Sequence, residues 1–312
     1  MKRPHRALFA ALPVVLLVAS CSATSPPPVG GGVVSHPEGS DVVVQVEWTG
    51  GFVPYEYLFT SLPLFTLLGD GRVIVQGPVP AIYPGPALPN LQVRRLTEEG
   101  IQAVLFRLTE TGLFDESHTY DAAAAFVADA NTTVFTMNAN GETVVVDVYA
   151  LGTFTDPGTT PSGVSADELD AHDRLTTLQD DLGYLEGWVE ADDWADAAWS
   201  PYQAEALRLL VTNVDNEPPN PDGLDSDPLP WPAPTAPDAI GPASTVQEFR
   251  CGVVSGDEAA TWTAALASAN QLTRWSFGGH LYRVTPRPLL PNEAQDCGPN
   301  EIVRLVDHLT AG

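Results

Sequence analysis

Lysine is all but missing from this chain of 312 residues, in which Lys2 stands alone. Schiff-base chemistry, Ser-Lys dyads and the P-loop each depend on a lysine ammonium, so all three are excluded beyond residue 2. Basic residues of either kind are scarce, 14 against 40 acids. Lys2, Arg3 and Arg6 precede Cys21 while every acid follows it, so the part from Cys21 onward carries 11 − 40 = −29. Nucleic acid is excluded as a partner, because neutralising phosphates takes clustered Lys and Arg. Anionic lipid headgroups repel such a surface as well. No Gly-x-Ser-x-Gly elbow is present, which removes the α/β-hydrolase type of serine enzyme. The histidines form no His-x-x-x-His or Cys/His spacing, so neither a metal nor a cofactor is expected. His118 with Asp121 reads as a loop hydrogen bond, and His172, among charged helix neighbours, as part of a solvated face. No catalytic residue can be named.

What is present begins at the N-terminus. Lys2-Arg3-Pro4-His5-Arg6 precedes an apolar run, Ala7–Ala19, too short for a spanning helix of about 20 residues and right for a secretory signal peptide. Val18-Ala19-Ser20-Cys21 resembles the lipobox of bacterial lipoproteins. The resemblance implies cleavage after Ser20 and a diacylglyceryl group on Cys21, and two acyl chains suffice for stable attachment. Residues 1–20 are then the signal peptide and 21–40 a tether, in which a triproline adjoins a triglycine. The expected location is the extracytoplasmic face of the cell membrane, with lipid on Cys21 as the membrane partner. Cys251 and Cys297 remain, and in an exported protein they are expected to pair.

Periodicity gives an α+β fold with antiparallel sheets and helices on one face, in two lobes, 41–190 and 191–312. Strands are expected at Asp41–Trp48, then at Leu64–Leu68 and Arg72–Val75 around Asp70-Gly71, and at Asn131–Asn138 and Glu142–Leu151 around Asn140-Gly141. Thr97 caps a helix that runs to Gly112, and Ser165-Ala166-Asp167-Glu168 opens a second that runs to about Trp188. The proline-dense stretch Pro78–Pro89 cannot be a central strand. In the second lobe strands fall at Ala206–Asn213, Val246–Val254 and His280–Leu290, with a helix at Asp257–Asn270. The Pro-rich loop 217–243 lies between the first two of these strands.

Phe65-Thr66-Leu67, Gly69-Asp70-Gly71 and Gly112-Leu113-Phe114 resemble, over residues 60–150, small domains of secreted bacterial proteins with no assigned activity. With its lipobox, tether, Pro-rich loops and C-terminal cysteine pair, the chain also resembles uncharacterised lipoproteins of high-GC Gram-positive bacteria. Both resemblances imply class and location and supply no chemistry.

Three stretches remain as ligand candidates. Tyr184, Trp188, Trp194 and Trp199 stand among Glu186, Glu190, Asp192, Asp193 and Asp196. Flat rings beside carboxylates suit a cell-wall polysaccharide, and core packing explains the same rings. Asn220-Pro221-Asp222-Gly223-Leu224-Asp225-Ser226-Asp227 gathers acids but fails the EF-hand pattern and reads as a hydrated turn. Pro228-Leu229-Pro230-Trp231-Pro232 is either a polyproline II ligand for a partner or a strap whose Trp plugs its own domain. The expected function is a membrane-anchored binding or interaction module of the cell envelope, engaging polysaccharide or an envelope protein. A polysaccharide hydrolase working through unrecognised carboxylates is the alternative.

Overall fold

In this computed structural model residues 33–154, 163–224, 226–243 and 249–297 are described, apart from the side chains of Tyr55 and Leu58. The lipobox, Cys21 and the tether as far as residue 32 lie outside them, as do Asp225, Val246 and His308. Thirteen strands alternate with four α-helices: β1 Val42–Gly50, α1 Tyr55–Thr60, β2 Phe65–Leu68, β3 Arg72–Gln76, β4 Leu91–Arg95, α2 Glu98–Glu110, β5 His118–Tyr120, β6 Asn131–Ala139, β7 Glu142–Tyr149, α3 Ala166–Gly183, β8 Ser200–Pro201, β9 Ala206–Asn213, β10 Leu229–Pro230, β11 Phe249–Ser255, α4 Gly256–Leu266, β12 Arg274–Phe277 and β13 His280–Pro288. The fold is α+β. Eight strands form one sheet in the order β5-β7-β6-β1-β2-β3-β4-β8, and five form another, β10-β12-β13-β9-β11. Both are antiparallel except where the short strands β5 and β10 run parallel to β7 and β12. Among the described residues no helix is long and apolar enough to cross a membrane.

The two hairpins stand where Asp70-Gly71 and Asn140-Gly141 place them, because tight turns need positive φ. Asn140 and Gly141 have φ of 54° and 77°, and Gly71 has 83°. A Cβ on Gly71 would also lie 2.4 Å from the carbonyl oxygen of Leu96, so no other residue fits. Thr97 caps α2 by accepting from the amide of Gly100, and Ser165 caps α3 by accepting from that of Glu168. Ile101, Val104, Leu105 and Leu108 of α2 and Leu175, Leu178 and Leu182 of α3 cover one face of the large sheet, meeting Val44, Val46, Phe135 and Val146. Burying each such side chain contributes about 1.5–3 kcal/mol.

Several boundaries differ from the periodicity. Helix α3 stops at Gly183, five residues short of Trp188. Gly183 is a weak helix former, and the carbonyl of Asp181, freed there, accepts from the amide of Tyr184 and from Nε1 of Trp188. Helix α4 stops at Leu266 rather than Asn270, where Asn270 and Thr273 close a turn of their own. His172 is 2 % exposed, not on a solvated face. It adjoins the buried stripe of α3, and the ring of Phe154 covers it at a centroid distance of 4.9 Å. Strands β4, β5, β8, β10 and β12 and the short α1 have no counterpart in the sequence pattern.

The second sheet is organised around tryptophan. Trp262 of α4 is fully buried, with Trp231 and Trp275 perpendicular to it at 4.8 and 5.4 Å. Trp231 also packs on Tyr282, and its Nε1 donates to the carbonyl of Thr235 at 2.8 Å. Of the two readings of Pro228–Pro232, the structure shows the strap that plugs its own domain. On the opposite face α1 lays Phe59 against Phe249, Leu210 and Cys251, and Cys251 is disulfide-bonded to Cys297 across a Cα separation of 6.0 Å.

The described residues belong to one compact unit. Its two sheets meet through Leu68, Ile74 and Leu91 of the first and Leu290 after the second, with Val93 and Tyr202 packed against them. The proline-dense stretch straps them together: Ala87 donates to Ala269, Gln271 to Gly85, and the amide of Gly85 to the side chain of Gln271. Arg287, 6 % exposed, holds the same junction by donating to the carbonyl of Ser61 at 2.7 Å while paired with Glu293.

Candidate binding site at the junction of the two sheets

The chain passes from one sheet to the other once among these strands, between Pro201 at the end of β8 and Ala206 at the start of β9. Clefts open on both sides of this crossing. One, of about 280 Å³, lies between the proline strap and α4, with Leu88, Pro89, Leu207, Leu266 and Pro288 among its walls. None of the 14 residues that line it is charged. In a chain with 40 acids that is a marked local exception, and apolar walls with a few placed polar groups are the usual make-up of a ligand site between lobes.

The other cleft, of about 230 Å³, is polar and contains Arg72, Glu205 and Glu293. Tyr202 and Gln203 belong to both. Tyr202 is fixed between the sheets: its amide donates to the carbonyl of Leu91 and its hydroxyl to that of Leu289, each at 2.9 Å. Burial pushes its hydroxyl pKa up to about 12, with Glu293 and Glu205 adding to the rise and Arg72 opposing it, so Tyr202 is a neutral partition.

The charges of the polar cleft are not all compensated. Arg72 is paired with Asp70 at 2.8 Å and also donates to Oγ of Ser40. Burial of Asp70 opposes its ionisation, but hydrogen bonds from the side chain and backbone of Arg72 outweigh it and hold the carboxyl below its usual pKa. Glu293 is paired with Arg287. Glu205 is exposed and has no cationic partner among the described residues, leaving one negative charge beside a neutral cleft.

The sequence candidates lie elsewhere. Trp194 is buried against the core of the large sheet, with the guanidinium of Arg94 3.9 Å above its ring and Trp199 at 5.8 Å. Arg94 also reaches Glu186 at 2.8 Å and the carbonyls of Asp196 and Ala197. Nε1 of Trp199 donates to Glu186, and Trp188 is partly buried with its Nε1 on Asp181. Tyr184 stands apart, 65 % exposed. Three of the four rings thus anchor the acidic stretch to the first sheet instead of forming an open platform. Asn220 closes a turn by accepting from the amides of Asp222 and Gly223. His118 lies on an edge strand beside Tyr120, and His280 is bonded through Nδ1 to Asp215 at 2.6 Å.

Tyr202, Gln203 and Glu205 escaped sequence reasoning because they carry no periodicity. One signal was available: residues 197–204 form an uncharged window between Asp196 and Glu205. No family model, curated protein or solved structure matches the chain, so the functional reading rests on this geometry and on the sequence.

Proposed function

We propose that the protein is a lipoprotein held at the extracytoplasmic face of the cell membrane through Cys21, and that it acts by binding, with the junction clefts as its ligand site. The observation that carries the binding reading is the uncharged cleft of about 280 Å³ at the sheet junction, closed on one side by the proline strap. The Cys251–Cys297 disulfide supports an oxidising compartment. With a charge of −29 from Cys21 onward, attachment to an anionic bilayer falls to the lipid. The partner is a component of the cell envelope. Trp188, Trp194 and Trp199, used in packing, lend the polysaccharide hydrolase no particular support.

Anchoring is tested by fractionating cells that express Cys21→Ala. The variant is expected in the medium and the parent in the membrane pellet; equal retention of both sinks the anchor. For the cleft, methyl-labelled protein is titrated with fragments of envelope peptides and glycans. Shifts confined to methyls far from Leu88, Leu207 and Leu266 would rule out this site.

A further inference from the structure

The crossing segment itself indicates what the clefts bind. Between Tyr202 and Ala206 the backbone belongs to neither sheet. Among the described residues the amides of Gln203, Ala204 and Glu205 have no acceptor, whereas the flanking amide of Tyr202 is bonded to Leu91. Gln203 and Glu205 are exposed and Ala204 is half-buried. The outer side of β8 is likewise unpaired, since β8 ends the order of its sheet.

Tyr202 and Gln203 line both clefts, and the crossing divides at its last two residues. Ala204 lines only the uncharged cleft and Glu205 only the polar one. A second chain laid alongside would face the same division: one residue would meet Leu207 and Leu266, and its neighbour in sequence would meet Glu205. Unpaired strand edges flanked by side-chain pockets are a recurring way of recognising extended peptides.

Resting on the cleft reading above, the geometry points to an extended peptide segment of an envelope protein as the ligand, added as a strand along Gln203–Glu205, with an aliphatic side chain in the uncharged cleft and an adjacent Arg or Lys side chain on Glu205. Main-chain hydrogen bonds supply affinity and the aliphatic-basic pair supplies selectivity. The lone charge of Glu205 also makes the interaction sensitive to salt.

The test uses the full exported chain and fluorescein-labelled, end-blocked pentapeptides followed by fluorescence anisotropy. The peptides are Thr-Val-Leu-Arg-Thr, its Leu-Glu and Asp-Arg counterparts, and a Leu-Arg form with N-methylated backbone amides. The Leu-Arg peptide is expected to bind about fivefold more tightly than Leu-Glu, the range of a partly exposed charge pair. It should also bind more tightly than the Asp-Arg and N-methylated forms. Glu205→Arg should invert the Arg/Glu preference, a result that misfolding cannot produce. An unchanged preference in Glu205→Arg, or equal binding of the N-methylated peptide, overturns the proposal. Should soluble cell-wall glycan fragments shift the Leu88, Leu207 and Leu266 methyls while no peptide binds, the peptide proposal is overturned and the cleft reading stands. Peptide binding that leaves those methyls unmoved defeats both.

Discussion

Replacing His172 by leucine should stabilise the protein, and increasingly so as the pH falls. The imidazole is 2 % exposed, and neither Nδ1 nor Nε2 has a hydrogen-bond partner. A buried polar group without a partner costs about 1–3 kcal/mol in proteins. Leucine is close in size, is a better helix former and carries nothing to satisfy, so a gain of about 1 kcal/mol is expected at pH 7.5. Burial also lowers the pKa of His172, with Glu168 opposing the shift. The unfolded chain therefore takes up a proton near the ordinary value of about 6.5 while the folded chain still resists it. Below that pH the unfolded state binds more protons, and stability falls with pH by up to about 1.4 kcal/mol per unit until the folded pKa is passed. The leucine variant lacks this contribution, so the gap between the two proteins widens through that window. Urea denaturation followed by tryptophan fluorescence between pH 5 and pH 8 measures it. A variant less stable than the parent at every pH, or a gap that does not change with pH, would refute the reasoning.

Two further outcomes follow from other contacts. Arg94→Met removes the donor that Glu186 and the carbonyls of Asp196 and Ala197 share; because Glu186 is 44 % exposed and keeps the Nε1 of Trp199, a loss of about 1–2 kcal/mol is expected, with a red shift of the Trp194 emission as its ring becomes wet, and an unshifted spectrum would mean that Arg94 does not hold the stretch. Opening the Cys251–Cys297 loop with paired alanine substitutions removes a constraint over 46 residues, worth up to about 4 kcal/mol in the chain-entropy model, and an unchanged urea midpoint would show that the sheet does not depend on it.

The parts of the fold legible in the sequence are those whose forces act over a few residues. Asn131–Ala139 alternates because one side is buried. Thr97 and Ser165 cap because an exposed helix end needs an acceptor. Elements went unread where a distant partner decides. Strand β4 contains Arg94 at an inward position, which breaks the alternation unless Trp194 and Glu186 are known to receive it. Strand β5 is held by β7 through parallel pairing, which leaves no turn in the sequence to mark it. His172 looked solvated because its neighbours at 173 and 174 are charged, and the ring that buries it, Phe154, is 18 positions away. The site was the least legible part, since its walls come from the proline strap, the crossing, α4 and the end of β13, stretches that carry no shared motif.

The first described residues have a mechanical consequence. Amide and carbonyl of Val34 are both bonded to the side chain of Gln102, the carbonyl of Ser35 accepts from the amide of Asn140, and His36 lies beside Glu98. These few contacts stand ahead of β1, which is zipped between β2 and β6 in the middle of the large sheet. A pull arriving from the N-terminal side is met by this clasp before it reaches β1. Ser40, between the clasp and β1, lines the polar cleft and accepts from Arg72, so the segment that would carry such a pull is itself part of that cleft.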